Sequence, residues 1–507
     1  MVFALFLPIP QMAAQEEQKP SLTDSIEYGV EMQATTSFGD GRTPLWLNAN
    51  KHGLSSLDKN NGYLRAMLQR QMPNNQRWGI GYGIDMAVAY NFTSTVIVQQ
   101  AYVECRWLKG VLTVGSKEQP MELKNQELSS GSQTLGINAR PVPQVRIALP
   151  DYWHIPVTKG WLALKGHIAY GMTTDDNWQK DFTQKQSRYT QNALYHSKAA
   201  YMKIGKKNMP VSLEIGLEMA ALFGGTTYKL DNGIEKVKHQ GGLKGMWEAF
   251  IPGGSEPFQE VYKNVGGDQL GSWVVRLNID KDNWQAGIYW DHFFEDHSAM
   301  FHLDYDGYGT GNEWDVKKDN RYLTYGFKDM LLGAELKLKK TPWLNAIVME
   351  YMYTKYQSGA IYHDHTPSMP DHIGGMDSYY NHHLYTGWQH WGQVIGNPLY
   401  QSPIYNTDGR IEIKNNRFTA LHAGASGNLT DNLHYRLLGS WQKGWGTYRM
   451  PYPDPRSSLS LMLEACYGFP KNSPLTGWSI TAAAGLDSGK LRGTNQGLQM
   501  TIRKKWR

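Results

Sequence analysis

"PVSLEIGLEMAALF" (residues 210–223) sets Val211, Leu213, Ile215, Leu217, Met219, Ala221 and Phe223 on one side of an extended chain and Ser212, Glu214, Gly216 and Glu218 on the other. A period of two belongs to a β-strand, whose successive side chains point to opposite faces. One whole face of this strand therefore meets an apolar medium. "SLSLMLEACYGF" (458–469) repeats the pattern with Leu459, Leu461, Leu463, Ala465, Tyr467 and Phe469, and "WVVRLNI" (273–279) with Trp273, Val275, Leu277 and Ile279. Segments of about ten alternating residues have the length a tilted strand needs to cross a bilayer.

The links between such segments alternate in length. Short ones at 206–208, 280–283, 340–342, 428–432 and 469–477 take turns with longer ones at 224–271, 295–328, 356–417, 444–457 and 488–496. Outer-membrane barrels have this rhythm, with tight periplasmic turns and long outer loops. Counting back from the last strand, "LQMTIRKKW" (498–506), puts the C-terminus on the periplasmic side and every long link outside. Upstream of Gly160, strands are expected at 28–38, 63–71, 78–90, 95–107, 111–117 and 144–149. With those downstream they make an all-β, transmembrane outer-membrane β-barrel of about 18 antiparallel strands, an even number as such barrels have. "TPLWLNANKHGLSSLD" (43–58) spaces its leucines as a short broken helix, which fits a plug. The chain ends Trp506, Arg507 and carries Lys504 on the apolar face, a partial match to the terminal aromatic expected of a barrel.

Composition agrees. The 507 residues hold 18 Trp, 30 Tyr and 52 Gly with only 19% charged residues, unlike a typical cytosolic enzyme. A mean hydropathy of -0.53 excludes a bundle of membrane helices. No Pro/Ser-rich linker or charge block divides the chain, so residues 16–507 read as one domain. The apolar run and small residues of "MVFALFLPIPQMAAQEEQ" resemble the second half of a signal peptide ending near residue 15, without its basic start. The net charge of +5 is scattered, giving no nucleic-acid patch, and no nucleotide or zinc-protease motif is present. Cys105 and Cys466, the two cysteines, make neither a disulfide framework nor a metal motif.

Seven segments, read in order, resemble the capsule-assembly Wzi family of Gram-negative outer membranes: "TPLWLNANKHGL", "NNGYLRA", "LSSGSQTLGINARPVPQVRIALPDY", "YHSKAAYMKIG", "GGDQLGSWVVRLNIDKDNWQAGIYWDHFFEDHSAM", "WLNAIVMEYMYTKYQSGAIYHD" and "YYNHHLYTGWQHWGQVIGNPL". The resemblance implies a barrel plugged by helices that acts as a lectin for capsular or related surface polysaccharide, and not an enzyme. It implies no cofactor. The expected partners are that polysaccharide and outer-membrane lipid, and the expected state is a monomer.

Sugar recognition needs flat aromatic faces and fixed polar groups. "YYNHHLYTGWQHWGQVIGNPLY" (379–400), within the longest outer link, offers Tyr380, Tyr385, Trp388 and Trp391 as faces and Asn381, His382 and Asn397 as polar partners. The alternative is that these rings form the link's own small core, or an aromatic girdle. In "GIYWDHFFEDHSAMFHLDYDGYG" (287–309), Trp290 and His292 are further sugar-contact candidates. Glu295 and Asp296 beside them open a glycosidase reading, which lacks a carboxylate pair at a defined separation. His363, His365, His372, His382, His383 and His390 cluster without matching a metal-site spacing, so no metal is assigned. In "GINARPVPQVRI" (136–147), Arg140 could pair with an acidic sugar or with carboxylates in the lumen. A porin or substrate channel is the rival of the lectin reading.

Overall fold

The alternation read in residues 210–223 turns out to be inside out. Glu214 and Glu218 are buried while Val211 is 44% exposed, the reverse of a water-soluble sheet. The computed structural model, which describes residues 25–72, 77–254, 265–296, 303–305, 308–318, 320–322, 328–362, 366–368 and 373–506, explains why. The strand is one of eighteen in a closed wall whose polar face looks into a filled lumen and whose apolar face looks outward.

In chain order the wall strands are β1 (Ile26–Gly39), β2 (Asn60–Arg70), β3 (Trp78–Tyr90), β4 (Val96–Trp107), β5 (Gly110–Ser116), β6 (Gln144–His154), β7 (Leu162–Met172), β8 (Leu194–Ile204) and β9 (Val211–Phe223). They continue with β10 (Asp268–Asp280), β11 (Trp284–Glu295), β12 (Met330–Leu338), β13 (Ala346–Tyr353), β14 (Phe418–Thr430), β15 (Leu433–Gly446), β16 (Pro451–Gly468), β17 (Trp478–Gly489) and β18 (Asn495–Trp506). Each pairs antiparallel with its sequence neighbours, and β1 closes on β18 from Tyr28↔Trp506 to Gly39↔Asn495. Closure leaves the described wall without a free edge strand, and the antiparallel ladders, interrupted by a few bulges, satisfy the backbone as hydrocarbon requires.

Exposed aromatics gather at the strand ends. Trp78, Trp284, Trp343 and Trp506 lie at the end carrying the short turns, and Phe38, Tyr90 and Trp441 at the other. Trp78 and Tyr90 bound β3, so at about 3.3 Å per residue and a tilt near 40° the two girdles stand about 30 Å apart, one hydrocarbon thickness. The chain is an integral outer-membrane β-barrel. Lys504, which interrupts the apolar face, belongs to the girdle: its ammonium lies 5.6 Å from the rings of both Trp478 and Trp506 and bonds the Thr476 carbonyl. A long aliphatic stem with its charge at the interface suits that depth.

Most expected strands stand where the alternation puts them, and three differences are instructive. β6 runs on to His154 through a bulge between Leu149 and Trp153. The links expected at 444–457 and 488–496 shrink to 447–450 and 490–494; in the first, Gly446 (φ 79°) turns tightly enough to pair with Pro451 and extend β16 upward. The third is larger: long outer links, including that at 354–417, do not simply stand out from the barrel but send segments into the lumen.

Three inward segments build the plug. The first carries the short helix α1 (Leu45–Asn48), as its leucine spacing suggests. Asp487 on β17 accepts the Leu45 amide at 3.0 Å, and Leu47 fits where a Cβ on Gly485 would come within 2.7 Å of it. The second is residues 117–143, held to the wall by Glu350, which accepts bonds from Ser129 Oγ (2.6 Å) and the Ser130 amide (2.8 Å). The third is residues 377–416. Trp46, Leu128, Phe293, Val348, Tyr380, Trp388 and Phe418 belong to one buried cluster joining plug and wall. Two further helices, α2 (Asp176–Thr183) and α3 (Gly242–Phe250), lie in outer links. Cys105 and Cys466 are both free thiols, on β4 and β16. Residues 1–15, read from the sequence as the second half of a signal peptide, lie outside the described residues.

Candidate functional site

The run at 379–400 is threaded through the lumen by tight turns. Tyr380 and Trp391 take left-handed φ values of 67° and 55°, which side chains adopt only where surrounding contacts hold them. Those contacts are numerous. The Tyr380 amide donates to Glu295 Oε1 (2.5 Å), its hydroxyl donates to the Gln133 carbonyl, and the same hydroxyl accepts the Asn397 amide (3.0 Å). Asn397 Nδ2 donates to the Gly131 carbonyl at 2.9 Å. Trp388 is fully buried, donates to the Thr134 carbonyl (3.0 Å) and stacks on Tyr195 with centroids 5.7 Å apart.

The remaining members are engaged in the same way. Asn381 exchanges two bonds with the Ile413 backbone, and Tyr385 donates to the Gly224 carbonyl and stacks on His239. His382 Nδ1 accepts the amides of Leu384 and Tyr385, and burial together with nearby His383 holds its pKa well below the usual histidine value. His390 bonds the Arg140 carbonyl at 2.8 Å. The expected display of this run on an outer loop is thus corrected: Tyr380, Tyr385, Trp388 and Asn397 are plug core. A long, ring-rich link lowers its free energy most by packing its rings on one another and on the wall.

Trp391 is different. It is half-buried, its indole N–H reaches Thr174 Oγ1 at 3.3 Å, and its ring lies 4.2 Å from the Arg140 guanidinium. Arg140 is buried and bonds Thr93 at 3.2 Å, in the short outer turn between β3 and β4, so the pair sits toward the outer end of the barrel, at the edge of the plug. Burial pulls the Arg140 pKa down to about 10, which leaves it cationic at neutral pH. Its Nε is buried with no hydrogen-bond partner among the described residues. Of the two roles open to Arg140, an ion pair with a lumenal carboxylate is not formed among the described residues, and Asp175 acts on it only through space.

Trp290 and His292 lie on the outward face of β11, stacked at 5.2 Å, with His292 bonded to the Asp329 carbonyl. They support the outer rim and do not face the lumen. Glu295 points inward and is buried, so it holds the plug by the Tyr380 amide and is withdrawn from solvent. Among the described residues no cluster of metal-ligating side chains forms, and His363, His365 and His372 lie outside them. Apart from Arg140, the sequence did not mark residues 117–143 as part of this site. Their signal was present as a stretch of Ser, Gly, Thr and Asn at 129–138 with neither strand alternation nor charge.

No family model matches this chain, and no curated protein does, so the family resemblance of the seven segments stands on those segments alone. Among solved structures it is similar to OprD of Pseudomonas aeruginosa (9% identity, 95% of each chain covered, TM-score 0.45). It is also similar to OccK5 (OpdH) of the same organism (8%, 95% of this chain and 97% of that one, TM-score 0.46). A loop-deletion mutant of OmpT from Vibrio cholerae gives 7% identity, 95% and 99% coverage and a TM-score of 0.36.

Proposed function

We propose that this barrel holds an acidic surface polysaccharide at its outer mouth without altering it chemically. The observation that carries the reading is the Trp391 ring laid on the Arg140 guanidinium at 4.2 Å, both fixed by the plug. A flat aromatic face suits the C–H face of a pyranose, and a guanidinium suits a uronate carboxylate. The seven segments resembling capsule-assembly proteins favour a polymer as the ligand. Affinity accumulates along such a polymer from many weak contacts.

A glycan array probed with the detergent-solubilised barrel tests this. Acidic polymers should be retained, and Trp391→Ala or Arg140→Gln should each weaken binding of the best one by roughly tenfold, as loss of a charge-assisted contact implies. Heat-modifiability on gels confirms that each variant keeps its barrel. Unchanged binding in both variants sinks the assignment. A second reading, a substrate-selective channel, draws support from a lumenal cavity of about 400 Å³ beside the plug. Steady conductance of the wild-type protein in planar bilayers would favour it.

A further inference from the structure

The cavity runs between residues 117–142 of the plug and the inner faces of β4 to β8, from Gln144 near the outer end of β6 to Asp151 toward its periplasmic end. Its lining carries as many acids as bases, yet the acids near its middle are engaged. Glu104 takes Lys117 (2.7 Å) and Thr113 (2.9 Å), Glu122 takes Lys165 (2.5 Å), and Glu118 takes Gln99 (2.8 Å) and Arg65 (3.5 Å). Asp151 is exposed and lies five residues beyond Arg146 on the same strand, about 16 Å along it.

Arg146 is left over. It lines this cavity and, among the described residues, makes neither a hydrogen bond nor an ion pair; Glu122 and Glu104 act on it only through space while bonded to their own partners. His167 and Ser197, bonded to each other at 3.2 Å, line the same cavity, as does Gln144, whose amide oxygen is buried without a partner. A guanidinium kept without a carboxylate in a cavity of this size is a site waiting for an oxyanion, with hydroxyl and imidazole groups beside it for neighbouring hydroxyls.

We propose that the lumenal cavity binds the carboxylate or phosphate of a small saccharide, with Arg146 as the anion-binding residue. Arg140 lines this cavity as well as pairing with Trp391, but Trp391 does not line it and Arg146 has no part in the outer-mouth reading, so the two readings separate on Arg146 and Trp391. Calorimetric titration of the full chain in detergent with glucuronate, glucose 1-phosphate and glucose tests it. At least one of the two anions should bind saturably and glucose should not, and the anion that binds names the group recognised. Arg146→Gln should weaken that binding by roughly tenfold or more. Ala148→Glu, which sets a carboxylate one step along the same inward face, should abolish it by occupying Arg146 from within. Trp391→Ala should leave it unchanged. Equal affinity in Arg146→Gln, equal binding of glucose, or no binding of either anion by the wild-type barrel overturns the proposal, provided the variants remain heat-modifiable.

Discussion

Replacing Lys124 by Met tests whether the plug is docked by charge. Lys124, in the second plug segment, meets Asp291 on the inner face of β11 at 2.7 Å, with the two side chains 2% and 1% exposed. At an effective dielectric near 20 the Coulomb attraction at that distance is about 6 kcal/mol. Desolvation of the two ions, several kcal/mol each, offsets most of it. Removing only the lysine leaves the aspartate buried with Gln133 as donor, its amide at 3.2 Å and its side chain at 3.3 Å. The expected cost is about 3–5 kcal/mol, the usual result of stranding a buried charge. That cost falls on plug docking and not on the wall, whose ladders are untouched. Hydrogen exchange should therefore rise selectively in residues 117–143 of Lys124→Met while the barrel stays heat-modifiable. The double variant Lys124→Met/Asp291→Leu should recover most of the protection, since neither charge then remains. Equal protection in the single variant and the wild type would refute the reasoning, as would a double variant worse than the single.

Two further predictions concern the packing of the outer links. A Cβ at Gly396 would lie 2.0 Å from the Tyr380 hydroxyl oxygen and 2.3 Å from the Gln133 carbonyl, so Gly396→Ala should prise the third plug segment off the second at a cost of about 1–3 kcal/mol. Limited proteolysis within residues 377–416 should reveal it, and unaltered resistance would show that the contact gives way cheaply. His239, stacked on Tyr385 and bonded to Thr227 at 2.8 Å, has its pKa lowered to about 4, first by burial and then by nearby His383. The unfolded link, with a pKa near 6.5, binds the proton more readily, so this stability is full above about pH 6.5 and declines as pH falls toward 4, by up to about 3 kcal/mol. Exchange protection around residues 224–241 should drop between pH 7.5 and 5, and His239→Gln should flatten that dependence; a drop of the same size in His239→Gln would assign it to another group.

The wall was legible because two media read each strand separately. Lipid demands Val211, Leu213 and Ile215 on one face, the lumen accepts Glu214 and Glu218 on the other, and no other arrangement of residues 210–223 satisfies both. Link lengths then gave strand parity, since a two-residue turn and a sixty-residue link cannot be confused. The plug was only half legible. Leucine spacing marked α1, but nothing local distinguishes an outer loop from one folded inward.

That choice belongs to partners remote in sequence. Tyr380 donates to a carbonyl 247 positions away, Trp388 to one 254 away, and the Arg140 face that Trp391 covers is brought in by another link. The sequence by itself therefore determined a membrane-spanning wall of about the right strand number, because strand period and bilayer thickness are local constraints. Only the tertiary structure decided that most rings of residues 379–400 pack on the plug and wall, that Trp391 stays half-buried beside Arg140, and that Arg146 lines a lumenal cavity. Burial and hydrogen-bond satisfaction are properties of the closed barrel, which no short stretch of chain contains.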